Sequence, residues 1–303
     1  MRFKGLDLNL LVALDVLLTE RNVSRAADKL CLSQSATSGA LARLRDYFGD
    51  ELLVQVGRKM ALTPRAQTLA GKVRAALMQI DGTIIQPPEF DPATVERTIR
   101  IVASDYVVIA ELARALREIR RLAPNLTVML DPPGEHPAES LARGEVDLLA
   151  MPEVYIAADH PSQHYFSDEY VVVAWAGSTR FGDTITREEF FEARHVSMRF
   201  ASHTPSFEAW FVKNSGEERK VAAVAGSFTA VPFLLEGTDN IALLQGRLAR
   251  KFAAMMPLRI LPSPINIPTL VEHLQWHALS EGDECLAWIR QKILAARDSQ
   301  SID

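Results

Sequence analysis

The sequence predicts an α/β domain preceded by an all-α winged helix-turn-helix and a long linker helix. Three observations predict it: apolar residues at helical spacing through the first 85 residues, a proline-rich break after them, and strands alternating with helices from there to the C-terminus. The boundaries this gives are 1–63 for the helix-turn-helix, 64–95 for the linker helix and hinge, and 96–303 for the α/β part.

From Leu8 to Glu20 the residues Leu10, Leu11, Leu14, Leu17 and Leu18 form one apolar stripe, with Asn9, Asp15 and Glu20 off it. Ser24 is the expected N-cap of a short helix through Leu30, in which Ala26 and Ala27 permit close packing. After a break at Cys31 and Leu32, Ser33 caps a helix from Gln34 to about Phe48. Its expected inward stripe is Ala36, Ala40 or Leu41, Leu44 and Phe48, and Gly49 stops it. Asp50 to Thr63 reads as a hairpin wing with Arg58 and Lys59 at its tip. Thr63 and Pro64 open a long helix, on which Leu69, Val73, Leu77, Ile80 and Ile84 make a coiled-coil-like seam. Such a seam needs a partner, so this is the expected homodimer helix; packing onto its own domain is the alternative. Gln86 to Thr94, with Pro87, Pro88 and Pro92, forms the linker.

A three-helix pattern of this kind lays its third helix in the major groove of double-stranded DNA. Gln34, Ser35, Thr37 and Ser38 are short or planar hydrogen-bonding groups near that helix's N-terminus, where base edges are reached, and Arg43 and Arg45 can neutralise phosphates. Ser24, Arg25 and Ser33 complete the candidate set, with Arg58 and Lys59 placed against the backbone or minor groove. The alternative is a solvated helix face. Charge distribution favours DNA: residues 1–85 hold 12 Lys and Arg against 8 Asp and Glu, a net +4, while the remainder hold 21 against 30, a net −9.

With 48% hydrophobic residues the chain is neither disordered nor fibrous. Cys31 and Cys285 match no disulfide or zinc spacing and read as buried apolar side chains in a reducing compartment. No run approaches the ~18 apolar residues of a membrane span, and Asp7 and Asp15 interrupt any signal peptide, so the expected location is cytoplasmic. No metal and no cofactor are expected. The spacing of His160 and His164 resembles a metal pair, but no carboxylate accompanies it.

Beyond the linker, strands are expected at 99–103, 126–130 and 146–150, with helices from Val107 to Leu122 and Pro137 to Arg143. His160 to Ser167 breaks the rhythm. A second set follows, with strands at 170–175, 195–198, 220–224, 241–244, 258–261 and 270–279, and helices that include Phe228 to Leu235 and Gly246 to Phe252.

The runs Leu6-Asp-Leu-Asn-Leu-Leu, Ser24-Arg-Ala-Ala, Leu32-Ser-Gln-Ser-Ala-Thr-Ser, Leu41-Ala-Arg-Leu-Arg, Phe48-Gly-Asp-Glu-Leu and Leu62-Thr-Pro-Arg-Ala resemble, in order and spacing, the N-terminal signature of LysR-type regulators. The likeness continues through Glu145-Val-Asp-Leu, Pro205-Ser-Phe-Glu-Ala-Trp, Gly246-Arg-Leu-Ala and Gln275-Trp-His-Ala, and in detail it is most similar to the branch of nodulation regulators and naphthalene and salicylate regulators. Family members usually carry Pro where Ser35 stands and an apolar residue where Thr37 stands. The resemblance implies a C-terminal effector domain of two lobes like type 2 periplasmic binding proteins, with lobe I about 96–163 and 267–303 and lobe II about 164–266, and chain crossings near His160 and Pro262. It also implies a transcriptional regulator rather than an enzyme, with activator as the expected sign and repressor as the alternative, a homotetramer built as a dimer of dimers, contact with RNA polymerase, and a small aromatic effector such as a phenol, an aromatic acid or a flavonoid-like molecule.

Ligands of such folds sit at strand ends and helix N-termini in the interlobe cleft. Ser104, Asp105, His203, Thr204, Ser227, Phe228 and Thr229 occupy such places, and Arg247 could hold an anionic or phenolic oxygen. As alternatives, the serines and threonine are helix caps and Arg247 a surface cation. Two other classes stay open: a solute-binding protein or enzyme on the two-lobe fold, and a regulator with no small-molecule input.

Overall fold

The computed structural model describes residues 2–3, 6–7, 9–57, 59–80, 90–200, 206–214 and 216–297. Arg58, Ile84, Pro87, Pro88, His203 and Thr204 lie outside the described residues. The chain divides into two compact units: Met1–Phe90 with Ser140–Glu145 and His277–Asp283, and the rest. Among the described residues no helix is long and apolar enough to cross a membrane.

The first unit opens on a short antiparallel pair, β1 (Arg2–Phe3) and β2 (Leu6–Asp7). Helices α1 (Asn9–Glu20), α2 (Val23–Leu30) and α3 (Gln34–Phe48) follow. They close on a core of Leu14, Leu17, Leu18, Ala26, Leu41, Leu44 and Leu52, the expected consequence of apolar stripes at helical spacing. Asn22, not Ser24, caps α2: its backbone is extended and its side chain accepts a hydrogen bond from the Arg25 amide at 3.0 Å, leaving Ser24 exposed. Cys31 ends α2 in the left-handed conformation, with φ of 53°, and is exposed, which corrects its reading as a buried residue; Cys285 is buried. Ser33 caps α3 through the Ala36 amide (3.1 Å) and Gly49, with φ of 58°, terminates it.

The wing is the antiparallel pair β3 (Leu53–Val56) and β4 (Lys59–Leu62). Thr63 then caps α4 (Pro64–Ile80), accepting from the Ala66 amide (3.1 Å) while its hydroxyl donates to Asp50 Oδ1 (2.6 Å). Arg74 clamps α4 to α1 through Asp15, at 2.6 Å. Val73 is buried, and Leu69 and Leu77 pack against the helix-turn-helix core, so three of the four described seam residues face their own domain, the arrangement given above as the alternative to a dimer seam.

The second unit holds two five-stranded mixed sheets. The first sheet comprises β5 (Thr98–Ala103), β6 (Thr127–Asp131), β7 (Leu148–Pro152), β8 (Ser162–Asp168) and, from the end of the chain, β14 (Leu270–Trp276), in the order β6-β5-β7-β14-β8. The second sheet comprises β9 (Tyr170–Trp175), β10 (Arg194–Met198), β11 (Lys220–Ala225), β12 (Ile241–Gln245) and β13 (Leu258–Pro262), in the order β11-β10-β12-β9-β13. Central β12 is buried along its whole length, as a strand covered on both faces must be, whereas edge strand β6 is largely exposed.

Three expectations change here. Residues 162–168 are a strand antiparallel to β14, so the chain passes between sheets at Glu169 rather than near His160. Phe228 to Leu235 forms two 3-10 turns, Phe228–Ala230 and Pro232–Leu234, because Pro232 has no amide to extend a longer helix. The helix expected over 107–122 begins as α5 (Asp105–Val107), widens into a π turn at Val108–Leu112 and continues as α6 (Ala113–Leu122). The remaining helices are α7 (Pro137–Ala142), α8 (Arg187–Glu192), α9 (Phe207–Asn214), α10 (Gly246–Ala253) and α11 (Glu284–Ala295).

Candidate nucleic-acid interface and ligand cavity

Helix α3 sets its apolar residues inward and leaves a polar edge. Gln34, Ser35 and Ser38 are exposed on its first turns, and Ser33 and Ser35 lie within hydrogen-bond distance of each other at 3.0 Å. Thr37 is the exception. It is fully buried, and its hydroxyl donates to the Ser33 carbonyl (3.1 Å), so it belongs to the core and Ala36 to the surface, a reversal of the expected facing.

The expected phosphate-binding cations divide by what holds them. Arg43 is half exposed and paired with Asp7 at 2.8 Å, a contact that keeps the Asp7 carboxyl below its ordinary range. Arg25 is exposed but turned toward Glu20, donating to its carbonyl at 2.7 Å and pairing with its carboxylate at 3.3 Å. Arg45 is engaged within the domain, where its guanidinium donates to the carbonyls of Glu51 (2.8 Å) and Leu53 (2.9 Å) and pins the wing to α3. Lys59 is exposed on the wing.

In the second unit, an apolar cavity of about 280 Å³ lies between the two sheets. Tyr106, Tyr155, Tyr170, Phe200, Phe207 and Phe228 line it. Tyr106 and Phe228 meet edge to face, with centroids 6.1 Å apart, as do Phe200 and Phe228 (6.0 Å), while Tyr170 stacks on Phe207 (6.2 Å). Of the expected ligand residues, Ser104 and Phe228 reach the cavity wall. Ser104 also caps α5 through the Val107 amide (3.3 Å). Asp105 accepts from the Thr229 amide (2.8 Å), and the Thr229 hydroxyl donates to Ser227 (3.1 Å); these three tie the first sheet's helix to the second sheet's turn and are absent from the cavity wall.

Arg247 does not fit its expected role. Its guanidinium is ion-paired with buried Glu111 and lies over the Phe166 ring (5.3 Å), so it is not a wall residue that meets a ligand oxygen. Its backbone amide donates to Asp168 Oδ2 (3.0 Å), which also accepts from the Tyr106 hydroxyl (2.8 Å). Asp168 thus joins both sheets at the point where the chain passes between them. Burial raises its carboxyl above the ordinary range even against these donors.

Sequence reasoning missed two buried polar wall residues, Gln245 and Glu272, each 1% exposed, and the exposed Glu135, His136 and Glu139 at the rim. Burial, reinforced by the Asp168 carboxylate, pushes Glu272 up to about 8. A signal for Glu272 existed: strand alternation puts it in phase with Leu270 and Leu274, both buried, so an acid stood on an inward face.

Residues 8–67 match the family described as bacterial regulatory helix-turn-helix protein, lysR family, and residues 92–297 match the LysR substrate binding domain. Nodulation protein D 2 of Rhizobium leguminosarum bv. phaseoli is 41% identical over 292 residues, covering 96% of this chain and 92% of that protein. A probable transcriptional regulator from Pseudomonas aeruginosa, solved by crystallography, is 30% identical with a TM-score of 0.69 and covers 98% of this chain and 99% of its own. Full-length OxyR of the same organism shares the fold alone, with a TM-score of 0.76 at 15% identity over 98% of this chain and 99% of that one. With both of its parts matched and a polar helix edge and an apolar interlobe cavity to correspond, this chain belongs to the LysR family of transcriptional regulators, a DNA-binding helix-turn-helix joined to an effector-binding domain rather than an enzyme.

Proposed function

We propose that this regulator is switched by a small aromatic effector held between the two lobes of its C-terminal domain. The observation that carries this is the ring-lined cavity of about 280 Å³ between the sheets. Its volume is close to twice the roughly 150 Å³ that accommodates one benzene ring in an engineered apolar cavity. The effector acts by binding one arrangement of the lobes more tightly than another, since equal affinity for both would shift nothing. Titrating the full-length protein with a panel of one- and two-ring aromatics should change the operator footprint and the intrinsic fluorescence. A panel that leaves both unchanged removes the aromatic effector and favours control by abundance or by a protein partner.

Operator recognition falls to the exposed edge of α3: Gln34, Ser35 and Ser38 read base edges, and Arg43 and Lys59 meet phosphates. Homodimerisation through α4, a dimer of dimers on DNA, contact with RNA polymerase and a cytoplasmic location complete the reading. Membership of the LysR family supports the dimer, and of the seam's described residues Ile80 alone lies outside the domain's own core. Arg43→Ala is expected to weaken binding to every sequence alike and to lower the salt slope by about 1. Gln34→Ala should instead change which operator bases are preferred. Binding titrations across salt and a set of operator variants check both, and identical, salt-independent losses would remove the assignment.

A further inference from the structure

Each sheet places one almost fully buried polar residue in the wall of a cavity that rings and aliphatic groups otherwise dominate. Gln245 ends β12 in the second sheet, and Glu272 lies within β14 in the first. Both are almost fully buried, and one oxygen of each, Gln245 Oε1 and Glu272 Oε2, has no hydrogen-bond partner. Buried polar atoms are ordinarily satisfied, and an exception at a cavity wall calls for a partner that the protein itself does not supply.

The same wall is poorly suited to an anion. Among its described residues none is Lys or Arg; its imidazole, His136, already faces the Glu139 carboxylate at 3.8 Å, and Glu135 lines the wall together with Glu272. The guanidinium of Arg247, which follows Gln245 by two residues, is committed to Glu111. A carboxylate entering here would shed its water without meeting a compensating charge.

Resting on the aromatic-effector reading, we propose that Glu272 and Gln245 are specificity-determining residues: they admit an uncharged two-ring aromatic that offers a hydroxyl to each of them, one per lobe, and the cavity refuses carboxylated aromatics. The two residues differ in what they offer. Gln245 Oε1 accepts only. Glu272, its carboxyl pushed up to about 8, keeps its proton at neutral pH and both donates and accepts. A ligand that satisfies both bonds the lobes to each other through itself. A site built around such bonds discriminates against the analogue lacking hydroxyls far more steeply than an apolar pocket discriminates by shape.

The test uses purified full-length protein at neutral pH, calorimetric titration, and three probes: 2,6-dihydroxynaphthalene, naphthalene and naphthalene-2,6-dicarboxylate. The diol is expected to bind at least ~10-fold more tightly than either of the others. Glu272→Leu should erase most of that advantage while naphthalene binds as well as before or better, which shows the cavity intact. Glu272→Gln should retain the advantage. Equal binding of diol and parent, dicarboxylate binding as tight as the diol, or an undiminished preference in Glu272→Leu would overturn the inference while leaving the aromatic effector in place. Failure of all three probes to bind would overturn both.

Discussion

Leu44→Ala is expected to abolish operator binding at 37 °C without touching a residue that faces DNA. Leu44 is fully buried, one residue beyond exposed Arg43, and packs with Leu14, Leu17, Leu41 and Leu52 in the core that orients α3. Removing three carbons from a site of this kind costs about 2–5 kcal/mol, because the lost transfer energy is joined by the energy of the cavity left behind. A unit of this size holds on the order of 10 kcal/mol or less in total. At roughly 4–8 °C per kcal/mol for a small domain, its melting transition should fall by about 10–30 °C. Circular dichroism of the full chain, together with operator titration, checks this. Ala42, exposed on the opposite face of α3, provides the control: Ala42→Ser should leave the transition unmoved. A Leu44→Ala chain that melts and binds like the parent would mean that α3 is not held by this core.

What the sequence made legible was mostly local. The Ser33 cap, the Gly49 stop, the Thr63-Pro64 start and the hairpin of the wing are decided by residues close together in the chain, and each stands where local chemistry puts it. The Asn22 cap was missed because two capping residue types, Asn22 and Ser24, stand two positions apart, and only the backbone conformation chooses between them. Thr37 was misplaced by its polarity. Its spacing of three, four and seven to Ala40, Leu41 and Leu44 is a core period, and its hydroxyl is satisfied by the preceding turn, so it is buried without penalty.

The cavity was less legible because its geometry depends on pairings across the chain. Arg247 opens a helix near the cleft, which suggested a ligand contact; its partner Glu111 lies 136 residues away and no local pattern connects them. Strand β8 begins with three exposed residues and so lacks the alternation that marks a half-buried strand, yet it pairs with β14, more than 100 residues further along. The proposed DNA-binding edge was visible because short polar residues sit on a surface. The proposed effector cavity was hidden because its buried polar residues are few and sit among apolar ones.

Glu272→Gln is expected to stabilise the protein at neutral and mildly alkaline pH and to leave it unchanged near pH 4. In the unfolded chain this carboxyl titrates at its ordinary value of 4.5, whereas burial and the Asp168 carboxylate raise it to about 8 in the folded chain. Below 4.5 both states carry the proton and the residue exerts no pH effect. Between 4.5 and 8 the unfolded state has released it and the folded state has not, so stability falls as pH rises, by about 1.4 kcal/mol per unit, and levels off above 8. The accumulated cost is on the order of 5 kcal/mol. Glutamine has the same shape and no charge to suppress, so the urea midpoint of the variant should exceed the parent's by a margin that widens from pH 5 to pH 8. The slope should shrink rather than vanish, because Asp168 and Glu208 are also raised by burial and contribute in the same direction. Parallel stability curves for parent and variant across this range would mean that Glu272 is ionised in the folded chain, and the hydrogen-bond donor assigned to the cavity at neutral pH would be lost with it.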